Sequence, residues 1–408
     1  MRYGIGATLV IFALAAACAK PPQAPEGTLF KDDLAFLQAR TQVVVLSDSS
    51  GQAQVAVNPD LQGRVMTSTA AGPDGLSFGW IGREAIASGV NNPHMNSFGG
   101  EDRFWLGPEG GQFSIFFKKG DPFDIDHWWT PPAVNEGTFD VASRDAGRIH
   151  FRKAIRLANY SGTEFDLEVN REVRLLGAPD VEALGIPVPS GVRMVAFAST
   201  NSITNLGANA WTKETGLLSV WILGMFNPSP STTIVIPFKP GPESELGPAV
   251  NDAYFGKVPA DRLVVDAAKG VLFFSGDGKY RSKIGISPRR VKPFAGSYDA
   301  ANKVLTLVHL TVPEGAADYV NSMWEIQENP FAGDVVNSYN DGPASPGAKP
   351  LGPFYELETS SPAAALGPGG TLSHVHSTLH IQGPEKALDE IARKTLGAGL
   401  EEIKRALR

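Results

Sequence analysis

Apolar and polar residues alternate at every second position along much of this chain. The pattern is clearest in residues 165–176, FDLEVNREVRLL, where it predicts a half-buried antiparallel strand. Turn sequences such as Tyr160-Ser161-Gly162 separate runs of this kind. No repeat with a period of about 20–50 residues is visible, which argues against a propeller or a solenoid. Further strands are predicted at 41–46, 54–57, 113–117, 149–157, 194–202, 217–223, 232–237, 262–265, 271–275 and 304–312.

Helical spacing is confined to two segments. Asp32 and Asp33 precede LAFLQAR at 34–40, which predicts a short helix with acidic residues in its first turn. Residues 384–408 carry apolar positions at helical spacing, and Gly397 and Gly399 should divide them into two pieces. We expect this segment to pack against the sheet domain, because its charges are mixed rather than basic as in a membrane-lying helix.

The composition is that of an ordinary globular protein. Of the 408 residues, 42% are hydrophobic and 19% charged, and the net charge of −7 argues against a nucleic-acid partner, which would require a basic face. The 44 glycines and 31 prolines, with few helical patterns, favour one large all-β domain. Such sandwiches can exceed about 200 residues as one unit. We assign residues 29–383 to this β-sandwich domain and 384–408 to a C-terminal helical segment.

The N-terminus has the features of a lipoprotein signal. Arg2 precedes an apolar run at 4–17, which is short for a transmembrane helix. The run ends in Leu14-Ala15-Ala16-Ala17-Cys18, which resembles a bacterial lipobox, although Ala15 stands where leucine is usual. The prediction is a signal peptide at 1–17 and a lipidated Cys18 opening a Pro-rich tether at 18–28, with an outer-membrane anchor facing the periplasm. A plain signal peptide that happens to contain the only cysteine is the alternative.

The segment 353–383 brings acidic and imidazole side chains close together in sequence. Glu356 and Glu358 are two residues apart, and His374, His376 and His380 follow a Pro/Gly-rich connection. If the two halves paired as a hairpin, carboxylates and imidazoles would share one surface as an acid–base pocket. Alternatively, the three histidines form a metal site that resembles the first cupin motif, or they merely flank polar residues on a surface strand.

Residues 96–111, NSFGGEDRFWLGPEGG, form a second candidate segment. Its glycines predict a tightly turned loop or strand edge that carries charged groups and a tryptophan. Carboxylates and Arg103 would bond sugar hydroxyls while Trp105 covers the apolar side of the ring. Alternatively, this is a glycine-rich corner in which the arginine pairs with the acids, Glu101 among them, and Trp105 belongs to the core.

Two more segments hold candidate binding groups. In DIDHWWTPP at 124–132, His127 is a candidate proton donor, and either Trp128 or Trp129 should be available for stacking. A structural role for His127 is the alternative.

The second segment, 319–343, clusters amide, phenol and carboxylate groups typical of polar ligand pockets, although a turn accounts for part of the cluster. Its candidates are Asn337, Tyr339, Asn340 and Asp341.

LETSSPAAALGPGGTLSHVHSTLHI, together with the distant NSFGGEDRFW, resembles the galactose mutarotase-like superfamily, in particular an uncharacterised group of secreted or lipid-anchored bacterial proteins. The resemblance implies a large antiparallel β-supersandwich. Leu357-Glu358-Thr359 and the turn at 366–369 follow the order seen around the catalytic glutamate of aldose 1-epimerases. The resemblance therefore nominates Glu358 as the base and Glu356 as its neighbour on the same face. The Asn-His-Leu-His-Gly-Gly motif of true epimerases is absent, and only Pro93-His94-Met95-Asn96 lies near its place.

The resemblance implies a carbohydrate-active lipoprotein that interconverts sugar anomers without a cofactor. Its partners would be a mono- or oligosaccharide and the membrane that holds its anchor. Glu358 would deprotonate the anomeric hydroxyl, and His127, His94 or His376 would protonate the ring oxygen. His374 joins the expected substrate contacts. The alternative is a non-catalytic glycan-binding protein on the same fold, using Trp105, Trp128 and residues 337–341.

Overall fold

The computed structural model describes residues 27–345 and 347–407. The predicted signal peptide, Cys18 and nearly all of the tether lie outside the described residues, so the lipoprotein assignment stays a prediction. Within the described ranges, none of the helices combines the length and the apolar character that crossing a membrane requires.

The described chain contains three antiparallel sheets. They have the strand orders β1-β2-β3, β11-β12-β10-β14-β15-β18-β8-β7-β6-β5 and β13-β16-β17-β9-β4. The strands are β1 (Val44–Ser47), β2 (Gln54–Asn58), β3 (Arg64–Thr69), β4 (Arg103–Gly107), β5 (Asp140–Arg144), β6 (Arg148–Ala158), β7 (Glu164–Leu175), β8 (Arg193–Asn205), β9 (Ser219–Phe226), β10 (Thr232–Pro237), β11 (Leu263–Asp266), β12 (Val271–Ser275), β13 (Ser282–Ile286), β14 (Phe294–Asp299), β15 (Val304–Leu310), β16 (Val336–Asn340), β17 (Tyr355–Ser360) and β18 (Thr371–Gln382).

Short helices connect and cover the sheets. They are α1 (Phe30–Gln38), α2 (Arg83–Ser88), α3 (Pro132–Asn135), α4 (Ala178–Ala183), α5 (Glu243–Leu246), α6 (Glu385–Leu396) and α7 (Leu400–Ile403). Gly397 follows α6 with φ of 74°, a left-handed conformation that glycine adopts without strain, and Gly399 is the N-cap of α7. The C-terminal segment is therefore divided at the two glycines that predicted the break.

The ten-stranded sheet has a hydrophobic layer on each face. On one face, Phe274 and its neighbours pack against Leu357 and Phe226 of the five-stranded sheet. On the other face, Ile381 packs with Leu388 of α6. Burial of these two layers packs the five-stranded sheet against one face of the ten-stranded sheet and the C-terminal helices against the other face.

The five-stranded sheet has one face turned away from the ten-stranded sheet, and this outward face carries the site. Thr359 of β17 bonds histidines of β18 in the ten-stranded sheet, so Thr359 points inward. Because side chains alternate along a strand, Glu356 and Glu358 point outward. The strand register places the following side chains on the same outward face: Arg103, Trp105, Trp221, Leu223, Met225, Lys283, Asn337 and Tyr339.

The predicted fold class, a large antiparallel β-sandwich with short peripheral helices, is confirmed. Strands predicted at 232–237 and 271–275 coincide with β10 and β12. The strand predicted at 113–117 is wrong, since these residues form turns and bends. There the Ser114 hydroxyl donates to the Glu109 carbonyl and accepts from the Phe116 N–H, so local side-chain bonds replace strand pairing.

The hairpin considered for residues 353–383 does not form. β17 pairs with β16 and β9, whereas β18 pairs with β15 and β8 in the other sheet. Residues 361–370 cross from one sheet to the other. The glutamates and the histidines therefore lie on opposite sides of the five-stranded sheet and share no surface.

Candidate functional site

A cavity of about 400 Å³ opens on the outward face of the five-stranded sheet. Its floor includes Arg103 and Trp105 of β4, Trp221 of β9 and Glu356 of β17. Loops contribute its walls, from residues 92–95, 109, 125–128, 255, 281, 324 and 351–354. The cavity therefore draws together segments from all three thirds of the chain.

A buried ion pair lies on the cavity floor. Arg103 Nη2 donates to Glu356 Oε1 at 3.1 Å, and both side chains are almost wholly buried. The guanidinium also lies 4.1 Å from the centre of the Trp105 ring, which fixes its plane. Burial raises the pKa of Glu356 to about 8, although the Arg103 charge acts in the opposite direction. Glu356 is thus a cavity-lining carboxyl group that titrates near neutral pH.

Glu358 lies beneath the floor. It is 0% exposed, is absent from the cavity lining, and accepts bonds at Oε2 from Trp221 Nε1 at 2.9 Å and Lys283 Nζ at 3.0 Å. Burial lowers the pKa of Lys283, but the carboxylates of Glu358, Glu109 and Glu356 outweigh this effect and raise it overall. The Glu358–Lys283 pair therefore holds a charged lysine in the cavity lining, with its carboxylate partner beneath the floor.

Aromatic side chains form much of the lining. Trp105, Trp128 and Trp221 are nearly buried, and Trp128 stacks with Trp324 at 6.0 Å between ring centres. The Nε1 atoms of Trp105 and Trp128 have no hydrogen-bond partner among the described residues. The lining thus combines broad apolar faces with indole N–H groups that a ligand oxygen would satisfy.

Glu109 reaches the cavity from the loop after β4. Its backbone N–H donates to Ser322 Oγ at 3.2 Å, and its carbonyl accepts from Ser114. Gly110 follows in close contact with the backbone of residues 322–323, where an added Cβ would lie 2.2 Å from the Met323 carbonyl oxygen. The glycine-rich corner therefore positions a carboxyl group, and its Arg103 pairs with Glu356 of β17 instead of with an acid of its own segment.

The candidate histidines are distributed over three environments. His94 lines the cavity, donates from Nδ1 to the Trp128 carbonyl at 2.6 Å, and stacks on Trp129 at 4.1 Å. His127 is outside the lining, with its side chain 42% exposed and 2.6 Å from Asp124 Oδ1, which raises the pKa of the imidazole. His376 is buried between the sheets, on the far side of β17 from the cavity.

His374, His376 and His380 belong to the core. Thr359 Oγ1 lies 2.8 Å from His374 Nε2 and 2.9 Å from His376 Nδ1. His380 instead contacts Thr306 and Glu101, the latter at 3.0 Å from its Nε2. The three imidazoles do not converge, and no cluster of metal-binding side chains is found in the part of the chain that is described. The metal hypothesis therefore lacks the geometry it needs.

Burial controls the charge of the first two histidines. It lowers the pKa of His374 to about 3, with a smaller contribution from His376, and it lowers the pKa of His376 to about 4. Both imidazoles are therefore neutral at pH 7 and serve as hydrogen-bonding groups of the core. Glu101, which was expected to contact substrate, is also fully buried there, where it accepts from Ser68 Oγ at 2.8 Å.

The four polar candidates in residues 337–341 lie in different surroundings. Tyr339 lines the cavity and donates to Asp341 Oδ1 at 3.0 Å, so Asp341 lies behind it. Asn337 bonds the Tyr254 hydroxyl at 3.1 Å beside the cavity floor. Asn340 ends β16 and bonds the bend at 277–280, and the turn considered for residues 340–342 does not form.

The structure thus brings together Glu356, His94, Arg103, Trp105, Trp128 and Tyr339 among the predicted site residues. Sequence reasoning missed Trp221 and Lys283, and it noted Glu109 without assigning it to the site. A lysine inside the otherwise apolar strand SKIGI was a usable signal, because such a position is either a surface face or a paired charge. Trp221 lies in the apolar run SVWILGMF and offered no such signal.

A family described as "Family of unknown function (DUF6786)" matches residues 28–407, nearly the whole described chain. The chain belongs to this family. None of the curated proteins compared with this DUF6786 chain matches it.

Solved structures similar to the DUF6786 chain include a "putative aldose 1-epimerase" from Escherichia coli K12. It is 13% identical, with a TM-score of 0.50, and the match covers 84% of this chain and 100% of that one. A protein from Synechocystis sp. PCC 6803 is 12% identical with a TM-score of 0.48, covering 85% and 97%. A galactose mutarotase-like protein from Lactobacillus casei ATCC 334 is 10% identical with a TM-score of 0.44, covering 84% and 100%.

The fold comparison rests on the E. coli structure, whose TM-score is 0.50. Its match confirms that this DUF6786 chain has the galactose mutarotase-like fold, as the sequence resemblance implied. At 13% identity the likeness is one of fold, so activity has to be argued from the site.

Proposed function

We propose that this protein binds a sugar in the outward-face cavity and interconverts its anomers, with Glu356 as the general base. One observation carries the proposal. Glu356 is a buried carboxyl group whose pKa is raised to about 8, and it lines a tryptophan-walled cavity on a galactose mutarotase-like sheet. A general base is most effective when its pKa lies near the working pH.

The lining supports a sugar as the ligand. Flat indole faces cover the C–H surface of a pyranose, and the unpaired Nε1 groups of Trp105 and Trp128 would donate to its hydroxyl oxygens. The volume of about 400 Å³ suits a monosaccharide or the terminal unit of a larger glycan.

The proposed reaction uses groups already in place. The Glu356 carboxylate takes the proton of the anomeric hydroxyl, the C1–O5 ring bond opens, and the new carbonyl rotates before the ring closes again. Arg103 orients the carboxylate through the bond from its Nη2. Lys283, which lines the cavity, bonds Glu358 beneath the floor; the Glu358 charge raises the pKa of Glu356 and the Lys283 charge lowers it.

Glu356 takes the role that the sequence resemblance nominated for Glu358. The reason is access: Glu356 lines the cavity, whereas Glu358 is fully buried and bonded to Trp221 and Lys283. A base must lie within hydrogen-bond reach of the proton it removes.

The test is an anomer-exchange measurement by NMR on D-glucose, D-galactose, D-mannose and L-arabinose, in a buffer that catalyses mutarotation poorly. Wild type, Glu356→Gln and Glu358→Gln are compared, with Glu182→Gln on the exposed surface of α4 as the matched control. We expect wild type and the control to accelerate exchange of at least one sugar, and Glu356→Gln to lower the rate by about 10²–10⁴-fold. Rates at the buffer level for all four sugars would overturn the proposed activity.

A second candidate function is glycan binding without turnover. It is favoured by the Arg103–Glu356 ion pair, which occupies one oxygen of the proposed base. Saturation-transfer NMR on the same sugars separates the two candidates, since sugar contact with no accelerated exchange, in wild type as in Glu356→Gln, supports binding alone.

The cellular location belongs to the proposal as well. We place the protein in the bacterial cell envelope, anchored through lipidated Cys18 and facing the periplasm, on the strength of the N-terminal sequence.

A further inference from the structure

Glu109 is held rigidly at the cavity wall. Its backbone is bonded on both sides, to Ser322 and to Ser114, and the loop that carries it is locked to residues 321–327. Gln112 and Gln327 exchange two bonds of 2.9 Å, and Gln327 Nε2 donates to the Met323 carbonyl at 2.8 Å. A side chain on such a loop has a defined position relative to the sheet, as a catalytic group requires.

The Glu109 carboxyl group lies among cations without being paired to one. Lys283 and Arg281 act on its charge, and Glu109 in turn acts on the charge of Arg103. Even so, among the described residues no lysine, arginine or histidine lies within 4.0 Å of its oxygens. The pocket-lining carboxyl group has a hydrogen bond with the Trp324 side chain but, unlike Glu356 and Glu358, bonds no cation, so it can exchange a proton with a ligand.

Glu109 and Glu356 approach the cavity from different elements. Glu356 lies on β17 at the floor, and Glu109 lies on the loop that follows β4. Both carboxylates act on the charges of Arg103 and Lys283, so the two groups flank the same pair of cations. A sugar placed over these cations would have one carboxyl group at the floor and one at the wall.

We propose that Glu109 is the general acid that works opposite Glu356, so that two carboxyl groups perform the proton transfers. This inference rests on the proposed function and deepens it. The only cavity-lining histidine among the described residues is His94, whose Nδ1 is committed to the Trp128 carbonyl and whose ring is stacked on Trp129. Burial also raises the pKa of Glu109, with Glu358 adding to the rise, which keeps more of it protonated.

Glu356 and Glu109 together account for every proton that moves in the reaction. The Glu356 carboxylate removes the O1 proton, and the O–H electron pair forms the C1=O bond. The C1–O5 bond breaks with its electrons passing to O5, and the Glu109 carboxylic acid protonates O5. After rotation about C1–C2, O5 attacks C1 while Glu109 takes back its proton, and Glu356 returns a proton to O1. Both groups end in their starting states.

The experiment records the pH–rate profile of anomer exchange for wild type, Glu109→Gln, Glu109→Asp and His94→Gln, with Glu328→Gln as an exposed-loop control. Wild type should give a bell-shaped profile, because one group must be ionised and the other protonated. Glu109→Gln should lower the maximal rate by about 10²–10⁴-fold and lose the decline at high pH, leaving a rate that only rises with pH. Glu109→Asp should recover part of the rate together with the decline, and His94→Gln should keep both limbs.

The outcomes separate this inference from the proposed function. If wild type accelerates exchange but Glu109→Gln keeps a bell-shaped profile, or His94→Gln loses the high-pH decline, Glu109 is not the acid and the proposed function still stands. If wild type itself fails to accelerate exchange, the proposed function is wrong, and the acid role of Glu109 is wrong with it. Saturation-transfer NMR with the exchanging sugar checks that Glu109→Gln still folds and binds, so that a lost rate reflects chemistry.

Discussion

Arg103 Nη2 bonds Glu356 Oε1 at 3.1 Å, joining two residues that are 253 positions apart in the chain. The bond crosses β9, which lies between β4 and β17 in the five-stranded sheet. It places a charged group of the glycine-rich segment beside a glutamate of the late strand. The sequence predicts the two segments as separate candidate sites, and this contact makes them parts of one site.

Removing one partner of this ion pair should destabilise the protein strongly. In Arg103→Met the Glu356 carboxylate loses its buried partner, and breaking such a pair costs about 3–5 kcal/mol. Urea denaturation at pH 9, above the pKa of about 8 so that the Glu356 carboxylate is ionised, measures the free energy of unfolding. Arg148→Gln, which breaks an exposed pair with Asp145, is the matched control and should change little. Equal stabilities for the two variants would contradict this assignment.

The activity of the cavity should rise with pH through the raised pKa of Glu356. Only the ionised carboxylate acts as a base, and the pKa of this group is about 8, so in Glu109→Gln, where no second carboxyl group titrates in the reaction, the rate of anomer exchange should increase between pH 6 and 8. In Glu356→Gln this rise should vanish. A Glu109→Gln rate that is already maximal at pH 5.5 would show that Glu356 is an ordinary, low-pKa glutamate.

The protein should lose stability on acidification because of its buried histidines. The pKa values of His374 and His376 in the folded state are about 3 and 4, whereas an unfolded histidine has about 6.5. Between these limits the unfolded state binds more protons, so the contribution is complete above pH 6.5 and falls as the pH is lowered. The slope is at most about 1.4 kcal/mol per pH unit for each histidine.

Urea denaturation at pH 7.0, 6.0, 5.0 and 4.5 tests this pH dependence. His376→Gln should show a shallower slope than wild type, whereas His150→Gln on β6 should keep it. A free energy of unfolding that is the same at pH 7.0 and 5.0 would rule out the buried, neutral state of both imidazoles.

Gly110→Ala should displace the Glu109 loop. The added Cβ would lie 2.2 Å from the Met323 carbonyl oxygen, and both atoms belong to a tightly bonded loop pair that has no room to move apart. We expect sugar affinity and anomer exchange to fall at least about 10-fold because the catalytic geometry is lost. The control is Gly367→Ala, where an added Cβ meets no atom within 4 Å. If both variants behave alike, the close contact at Gly110 is unimportant.

Lipidation of Cys18 should anchor the protein in the membrane. Detergent partitioning and mass spectrometry of the mature N-terminus should find a lipidated Cys18 in wild type and soluble or unprocessed protein in Cys18→Ser. Ala19 follows Cys18 where an aspartate would resemble the Gram-negative signal for retention at the inner membrane, so Ala19→Asp should redirect the lipidated protein to the inner membrane. Recovery of wild type in the soluble periplasmic fraction would favour the plain signal peptide.

The sequence identified several parts of the fold from local patterns alone. Alternation in 165–176 predicted β7, and the glycines at 397 and 399 predicted the division of the C-terminal helix. Such features depend on side chains close in sequence, so a single strand or helix contains the information. β16 was missed because VNSYN is buried on both faces and shows no clean alternation.

The segment 353–383 shows where local pattern stops being sufficient. The sequence by itself determined that Glu356 and Glu358 share one strand face, because side chains repeat every second residue. Only the tertiary structure decided that this face meets Arg103, Lys283 and Glu109, while the histidines of β18 turn into the core. Strand partners are selected by burial of whole sheets, and that depends on residues more than two hundred positions apart. The sheet assignment, which no local pattern encodes, therefore determines which carboxyl groups line the cavity.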